Sequence, residues 1–360
     1  MEKLFDFSDR LARLLDKLAA EEVDALLITK VANVTYFSGF RGDSSALIVG
    51  KNIRKLMTDG RYIEQAVLQA KNFTLVEQTE GLLKKIVEEL KISACKKVGV
   101  EGRVMTIAER DYLAEELFGV EFKSVELDTL RQVKDAAEID CIKRACKIAD
   151  DAFEKILAVV KPGVCELAVA ADLEYFMRRL GSERAAFDTI VASGWRSSLP
   201  HGTASDQKIC AGELVTFDFG ATFNGYCSDI TRTICVGTAS AEQRKIYNAV
   251  LDAQLYGLEV ITAGKSGKDI DEAVRERLKA SGYGDYFVHG LGHGVGLEIH
   301  EEPRLSKLSK SENLLPDMIV TDEPGVYIGD FGGVRIEDTV LVTTGNAQPL
   351  THTPKNLIEL

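Results

Sequence analysis

Val215 to Asp229 reads V-T-F-D-F-G-A-T-F-N-G-Y-C-S-D, and a second β-like run continues to Val236. Val215, Phe217 and Phe219 alternate with other residues, and Asn224-Gly225 separates the two runs. Asn-Gly between such runs is the strongest short-range hairpin signal, because both turn residues must accept positive φ. That turn sets Phe223 opposite Tyr226 and Asp218 opposite Thr231, two residues from Asp229. Strand side chains alternate faces, so Asp218 and Asp229 fall on one face as diagonal neighbours, with β-carbons about 7–8 Å apart. Two carboxylates so placed repel each other unless something positive lies between them.

The chain around this hairpin has 360 residues, 45% of them hydrophobic, enough for two domains with real cores. A formal net charge of -12 argues against nucleic acid or an anionic membrane as partner. The first residues carry no long apolar run, so no signal peptide is expected. No stretch approaches the roughly 20 apolar residues of a membrane span. Seven scattered cysteines without a C-x-x-C pair predict buried thiols in a reducing, cytoplasmic setting. Of five histidines, His201, His289, His293 and His300 lie in the C-terminal half beside glycines or acids.

Helical spacing over residues 8–22, with Ser8 as N-cap, opens the chain. Strand-like segments at 25–29, 44–49, 55–58 and 97–101 alternate with helical ones at 61–70, 82–90 and 106–117. This predicts an α/β domain over residues 1–130. Its Gly39-Phe40-Arg41-Gly42-Asp43 loop reads as a turn. Residues 131–360 read as an α+β domain with a largely antiparallel sheet. Helices at 136–160 and 167–180 flank the stop signal Pro162-Gly163. A strand near 189–192, the hairpin, helices at 241–262 and 268–281, and a glycine-rich β-like remainder complete it.

That remainder holds H-G-L-G-H-G-V-G-L-E-I-H from His289 to His300. Four glycines at alternate positions argue for an extended chain held close to something. In such a chain His289 and His293 share a face and His300 has the opposite parity, so the three are expected to differ in role. Glu323 closes an apolar strand before Pro324-Gly325, and Glu337 lies mid-strand in an apolar context where a lone charge is costly. Arg335 shares its face. Asp218, Asp229, His293, Glu323 and Glu337 together describe a cation site. Two divalent cations would cancel four carboxylates. Oxygen-dominated ligation with one imidazole suits manganese, with cobalt, iron or zinc as the other candidates.

These segments resemble the pita-bread metallopeptidases, the family of methionine aminopeptidase, aminopeptidase P and prolidase. The resemblance rests on V-T-F-D-F-G, S-D-I-T-R-T, H-G-L-G-H-G-V-G-L-E-I-H-E-E-P, D-E-P-G-V-Y-I and R-I-E-D-T-V-L-V-T, spread over residues 201–343. It implies that Asp229 and Glu337 bridge two metals, that Asp218 completes one, and that His293 with Glu323 completes the other. It further implies His201, His300 and Glu323 as catalytic residues and His289 and Arg335 as substrate-binding ones. Residues 1–130 resemble the N-terminal domain of the creatinase, prolidase and aminopeptidase P branch. The expected activity is hydrolysis of the Xaa-Pro bond at a peptide's N-terminus, aminopeptidase P-like, by a homodimer. The alternatives are a prolidase restricted to dipeptides and a non-catalytic peptide-binding module. Creatinase shares the fold without the metal ligands, and the full ligand set here argues against that reading.

Overall fold

The computed structural model describes residues 5–309 and 313–360. Two compact units divide between Arg131 and Gln132.

In the first unit, Ala25–Ile28 and Ser45–Gly50 are buried along their whole length. Strands this apolar need cover on both faces. They occupy the middle of a six-stranded mixed sheet ordered Thr74–Gln78, Ile53–Asp59, Ser45–Gly50, Ala25–Ile28, Lys97–Val100, Glu121–Ser124. Leu27, Ile48, Met57 and Val98 pack against Leu82–Ser93 and Ile107–Glu116. Phe7–Ala20 and Val31–Ser38 pack against Ser45–Gly50. Asp6, rather than Ser8, caps the first helix, accepting a hydrogen bond from the Ser8 N–H. The helix Val31–Ser38 has no sequence signal, since the polar Asn33, Thr35 and Ser38 of V-A-N-V-T-Y-F-S leave no separate apolar stripe. Its place is set by burial and by Asn33, which donates to Glu101 and Asp128.

The second unit is built twice over from a helix pair backing an antiparallel sheet. Capping boxes start Ala136–Ile156 at Asp135 and Ala241–Val260 at Ser240. Ala136–Ile156 and Glu166–Arg179 cover the three-stranded sheet of Ile190–Ser193, Glu213–Phe219 and Ile230–Val236. There Phe153 sits 5.6 Å from Phe217 and 5.9 Å from Phe219, ring centre to ring centre. Ala241–Val260 and Gly267–Ala280 back the five-stranded sheet, which runs Glu301–Leu305, Gly292–Gly294, Ile319–Asp322, Asp338–Leu341, Gln348–Pro349. No helix among the described residues is long and apolar enough to cross a membrane.

The hairpin has the expected register, with Phe223 opposite Tyr226 and Asp218 opposite Thr231. Asn224 and Gly225 both take positive φ, 50° and 84°. Since Phe217 and Phe219 face the helices, Asp218 and Asp229 face away from them. The strand expected to close at Glu323 does end there, and another begins at Gly325, whereas the strand expected to carry Glu337 mid-way breaks at Ile336-Glu337. Ile319–Asp322 pairs with Asp338–Leu341 in one sheet, and Gly325–Ile328 pairs with Gly332–Arg335 in another. One register runs through both ladders, which sets Glu323 opposite Glu337 at the break. Glu337 N–H donates to the Thr231 carbonyl at 3.1 Å, so the hairpin's second strand lies beside this break and joins the two sheets.

The alternate glycines have a plain steric reason. Only Gly292–Gly294 is a strand in this stretch, and it is wedged between two neighbours. A β-carbon on Gly292 would lie 2.1 Å from the Thr321 carbonyl oxygen, and one on Gly294 2.5 Å from that of Glu302. The chain is held close to backbone. Gly292→Ala should therefore destabilise the protein by about 1–3 kcal/mol, seen as a lowered Tm, because the overlapping atom is backbone and cannot swing aside.

Candidate active site

Asp218, Asp229, His293, Glu323 and Glu337 line one cavity of about 640 Å³, together with His201, His289, His300 and Arg335. The cavity lies at the seam of the two sheets. Asp229, His293 and Glu337 each place a ligand atom within 4.8 Å of the others. His293 Nε2 is 3.4 Å from Glu323 Oε1 and 3.5 Å from Asp229 Oδ2.

Burial dominates the electrostatics. It pushes the carboxyls of Asp218, Asp229 and Glu337 above their ordinary values, and mutual repulsion adds to the effect at Asp229 and Glu337. Burial likewise raises Glu323 to about 8. His293 is pushed the other way, to about 3, by burial and by the His300 ring. Its Nδ1 lies 3.1 Å from the Gly294 carbonyl, which can only accept. The ring is therefore neutral, with its proton on Nδ1 and its Nε2 lone pair turned towards the acids.

These residues fit a divalent-metal centre. Four acids and one imidazole lone pair converge, and the buried Asp218 Oδ1 has no hydrogen-bond partner. One cationic side chain enters the cluster: Arg335 Nη2 donates to Asp218 Oδ2 at 2.7 Å. The acid that pairs with Arg335 is thus Asp218, not Asp229 or Glu337. Its other N–H groups go to Thr231, the Pro200 carbonyl and Tyr327. Thr231 in turn donates a hydrogen bond from its hydroxyl to Glu337 Oε2.

His289 and Arg335 are expected at the substrate, yet both are held within the protein. His289 Nδ1 is 2.8 Å from the Gly290 carbonyl and its Nε2 is 2.7 Å from the Tyr327 hydroxyl. The Tyr327 hydroxyl accepts from Arg335 and donates to His289, so these three side chains form one chain leading to Asp218. His300 has the wrong parity for an extended strand, but the chain bends over 296–300. Its ring centre comes 4.4 Å from that of His293. His201 is exposed at the cavity wall.

Two residues of the site, Tyr327 behind His289 and Arg335, and Arg304 on the cavity wall, carry no sequence signal of their own. Tyr327 reads as part of an apolar strand. Arg304 lies four residues beyond His300 and lines the cavity, and its guanidinium takes no hydrogen bond or ion pair among the described residues. The clue available was its position, the first cation after H-E-E-P.

Fold and site together define a metallo-exopeptidase with an added N-terminal domain. Residues 140–344 match the model of metallopeptidase family M24, and residues 10–133 match the creatinase/prolidase N-terminal domain. The chain belongs to metallopeptidase family M24. It is 40% identical to the Xaa-Pro dipeptidase of Pyrococcus furiosus, over 97% of this chain and 99% of that one. Among solved structures, the Xaa-Pro dipeptidase from Bacillus anthracis is 41% identical with a TM-score of 0.95, covering 99% and 100% of the two chains. The X-Pro aminopeptidase of Thermotoga maritima is 36% identical with a TM-score of 0.92, covering 98% and 99%.

Two outcomes test this description. Arg335→Ala leaves Asp218 buried and unpaired, a loss of about 3–5 kcal/mol, so Tm and bound metal measured by elemental analysis should fall together. In metal-stripped protein, folded Glu323 keeps its proton up to about pH 8 while the unfolded chain sheds it near 4.5. The folded state then holds more protons in that window, so stability falls as pH rises through it. Thermal melts should show this slope, and manganese should flatten it, since binding displaces those protons.

Proposed function

We propose that the enzyme is an Xaa-Pro dipeptidase, a prolidase, rather than the aminopeptidase P-like enzyme expected from the motifs. The Arg304 guanidinium carries this reading: a cation without a protein partner in the cavity suits the free carboxylate of a C-terminal proline. The printed names of the Pyrococcus furiosus and Bacillus anthracis relatives support it, and that of the Thermotoga maritima neighbour favours the aminopeptidase alternative. Catalysis is assigned to residues 131–360, with residues 1–130 as a separate N-terminal domain.

Asp218, Asp229, His293, Glu323 and Glu337 would hold two divalent cations, with manganese favoured by the oxygen-rich donor set. When bound, these ions supply Lewis acidity that polarises the scissile carbonyl and makes water acidic at neutral pH. Glu323, whose carboxylate faces the cavity beside the other acids, takes the proton of the attacking water and delivers it to the proline nitrogen. His201 and His300 donate hydrogen bonds to the developing oxyanion or the leaving proline. His289, Tyr327 and Arg335 hold Asp218 in place. Phe187, Ile190 and Ile299 give the cavity an apolar wall that excludes water around the substrate. The same reading takes the enzyme as a cytoplasmic homodimer, and its seven free cysteines suit a reducing compartment.

The decisive comparison is Leu-Pro against Leu-Pro-Gly and Leu-Pro amide, with manganese restored to stripped enzyme. Leu-Pro should be the best substrate. Arg304→Ala should lower kcat/KM on Leu-Pro by about 1.5–3 kcal/mol, on the order of tenfold to hundredfold, and affect the amide far less. Equal losses on dipeptide and amide, or a wild-type preference for Leu-Pro-Gly, would favour the aminopeptidase reading.

A further inference from the structure

We propose that Asp188 selects substrates whose N-terminal residue bears a cationic side chain. The inference rests on the dipeptidase reading and concerns the residue before proline.

Arg304 and Asp188 line one cavity from different sheets. Arg304 belongs to Glu301–Leu305, the outer strand of the five-stranded sheet. Asp188 lies two residues before the start of the outer strand of the three-stranded sheet, Ile190–Ser193. The carboxylate cluster lies at the seam between them. A dipeptide crossing that cluster with its proline carboxylate at Arg304 directs its N-terminal residue towards Asp188.

Register supports the same placement. Ile190 is the cross-strand partner of Asp218, so the two side chains share a face. Asp188 lies two residues further out and lines the same cavity. It lies before the strand begins and is no member of the metal-binding cluster, so its part is in binding rather than in the chemistry.

Chemistry then selects the ligand. Asp188 is exposed, and its carboxylate takes no hydrogen bond or ion pair among the described residues. Phe187 and Ile190 flank it on the wall. An aliphatic stem laid along these apolar side chains, ending in a charged head at the carboxylate, describes lysine or arginine. An acidic N-terminal residue would meet like charge there.

The test measures kcat/KM for Lys-Pro, Leu-Pro and Glu-Pro with the metal-loaded enzyme at low salt, for wild type, Asp188→Asn and Asp188→Lys. An exposed carboxylate implies a modest effect, so the Lys-Pro to Glu-Pro ratio should fall about two- to fivefold in Asp188→Asn. It should fall further in Asp188→Lys, and added salt should shrink the wild-type preference. An unchanged ratio would overturn the proposal. So would an equal loss on all three dipeptides, which would mean that Asp188 meets the shared α-ammonium or serves the fold. Leu-Pro left uncleaved by wild type would sink the dipeptidase reading and this inference with it. Leu-Pro cleaved without any charge-dependent shift would sink the role of Asp188 alone.

Discussion

Four carboxylates buried at one seam, with a single guanidinium among them, are the constraint on which the rest of the site depends. Charge taken out of water must be paired, protonated or bound to a cation. Arg335 pairs Asp218, and Thr231 supplies a hydroxyl to Glu337. What is left over is an excess of acidic oxygens with a neutral imidazole beside them, and that excess is what makes the seam a place for divalent metal.

The same strand solves the charge problem differently on its other face. Asp338 follows Glu337 and points towards the helices. There it has two protein cations, Arg232 and Lys355, with Thr351 and Gln254 completing its hydrogen bonds. Those contacts hold its carboxyl below the ordinary value in spite of full burial. Arg232 also grips the Glu337 carbonyl and the Thr353 carbonyl, tying the C-terminal segment to the back of the site. Asp338 is neutralised from within the protein, and the acids of the adjacent face are left for a ligand to neutralise.

Backbone proximity sets the geometry of what remains. Gly292 and Gly294 let three strands approach until no side chain could fit between them. His293, between those glycines, is thereby delivered to the acids with its tautomer fixed by the next carbonyl. The tyrosine–arginine–histidine chain does the same for Asp218. Rigid placement of ligands by their neighbours is what a bound metal needs to keep its coordination.

The amino-acid sequence by itself determined whatever depends on local dihedral preference and side-chain alternation. Asn224-Gly225 dictated the hairpin register, and through it the shared face of Asp218 and Asp229. Alternation put Arg335 and Glu337 on one side of their strand, and the motifs marked the four acids and the imidazole of the cluster. Tertiary structure decided the rest, because pairings across a hundred residues leave no local trace. It broke the apparent strand around Glu337 so that Glu323 faces Glu337. It bent the chain after Val295 so that His300 joined His293 despite its parity. It chose Asp218 as the partner of Arg335 across 117 positions of chain. It also brought Arg304 and Asp188, unremarkable in the sequence, to the wall of one cavity.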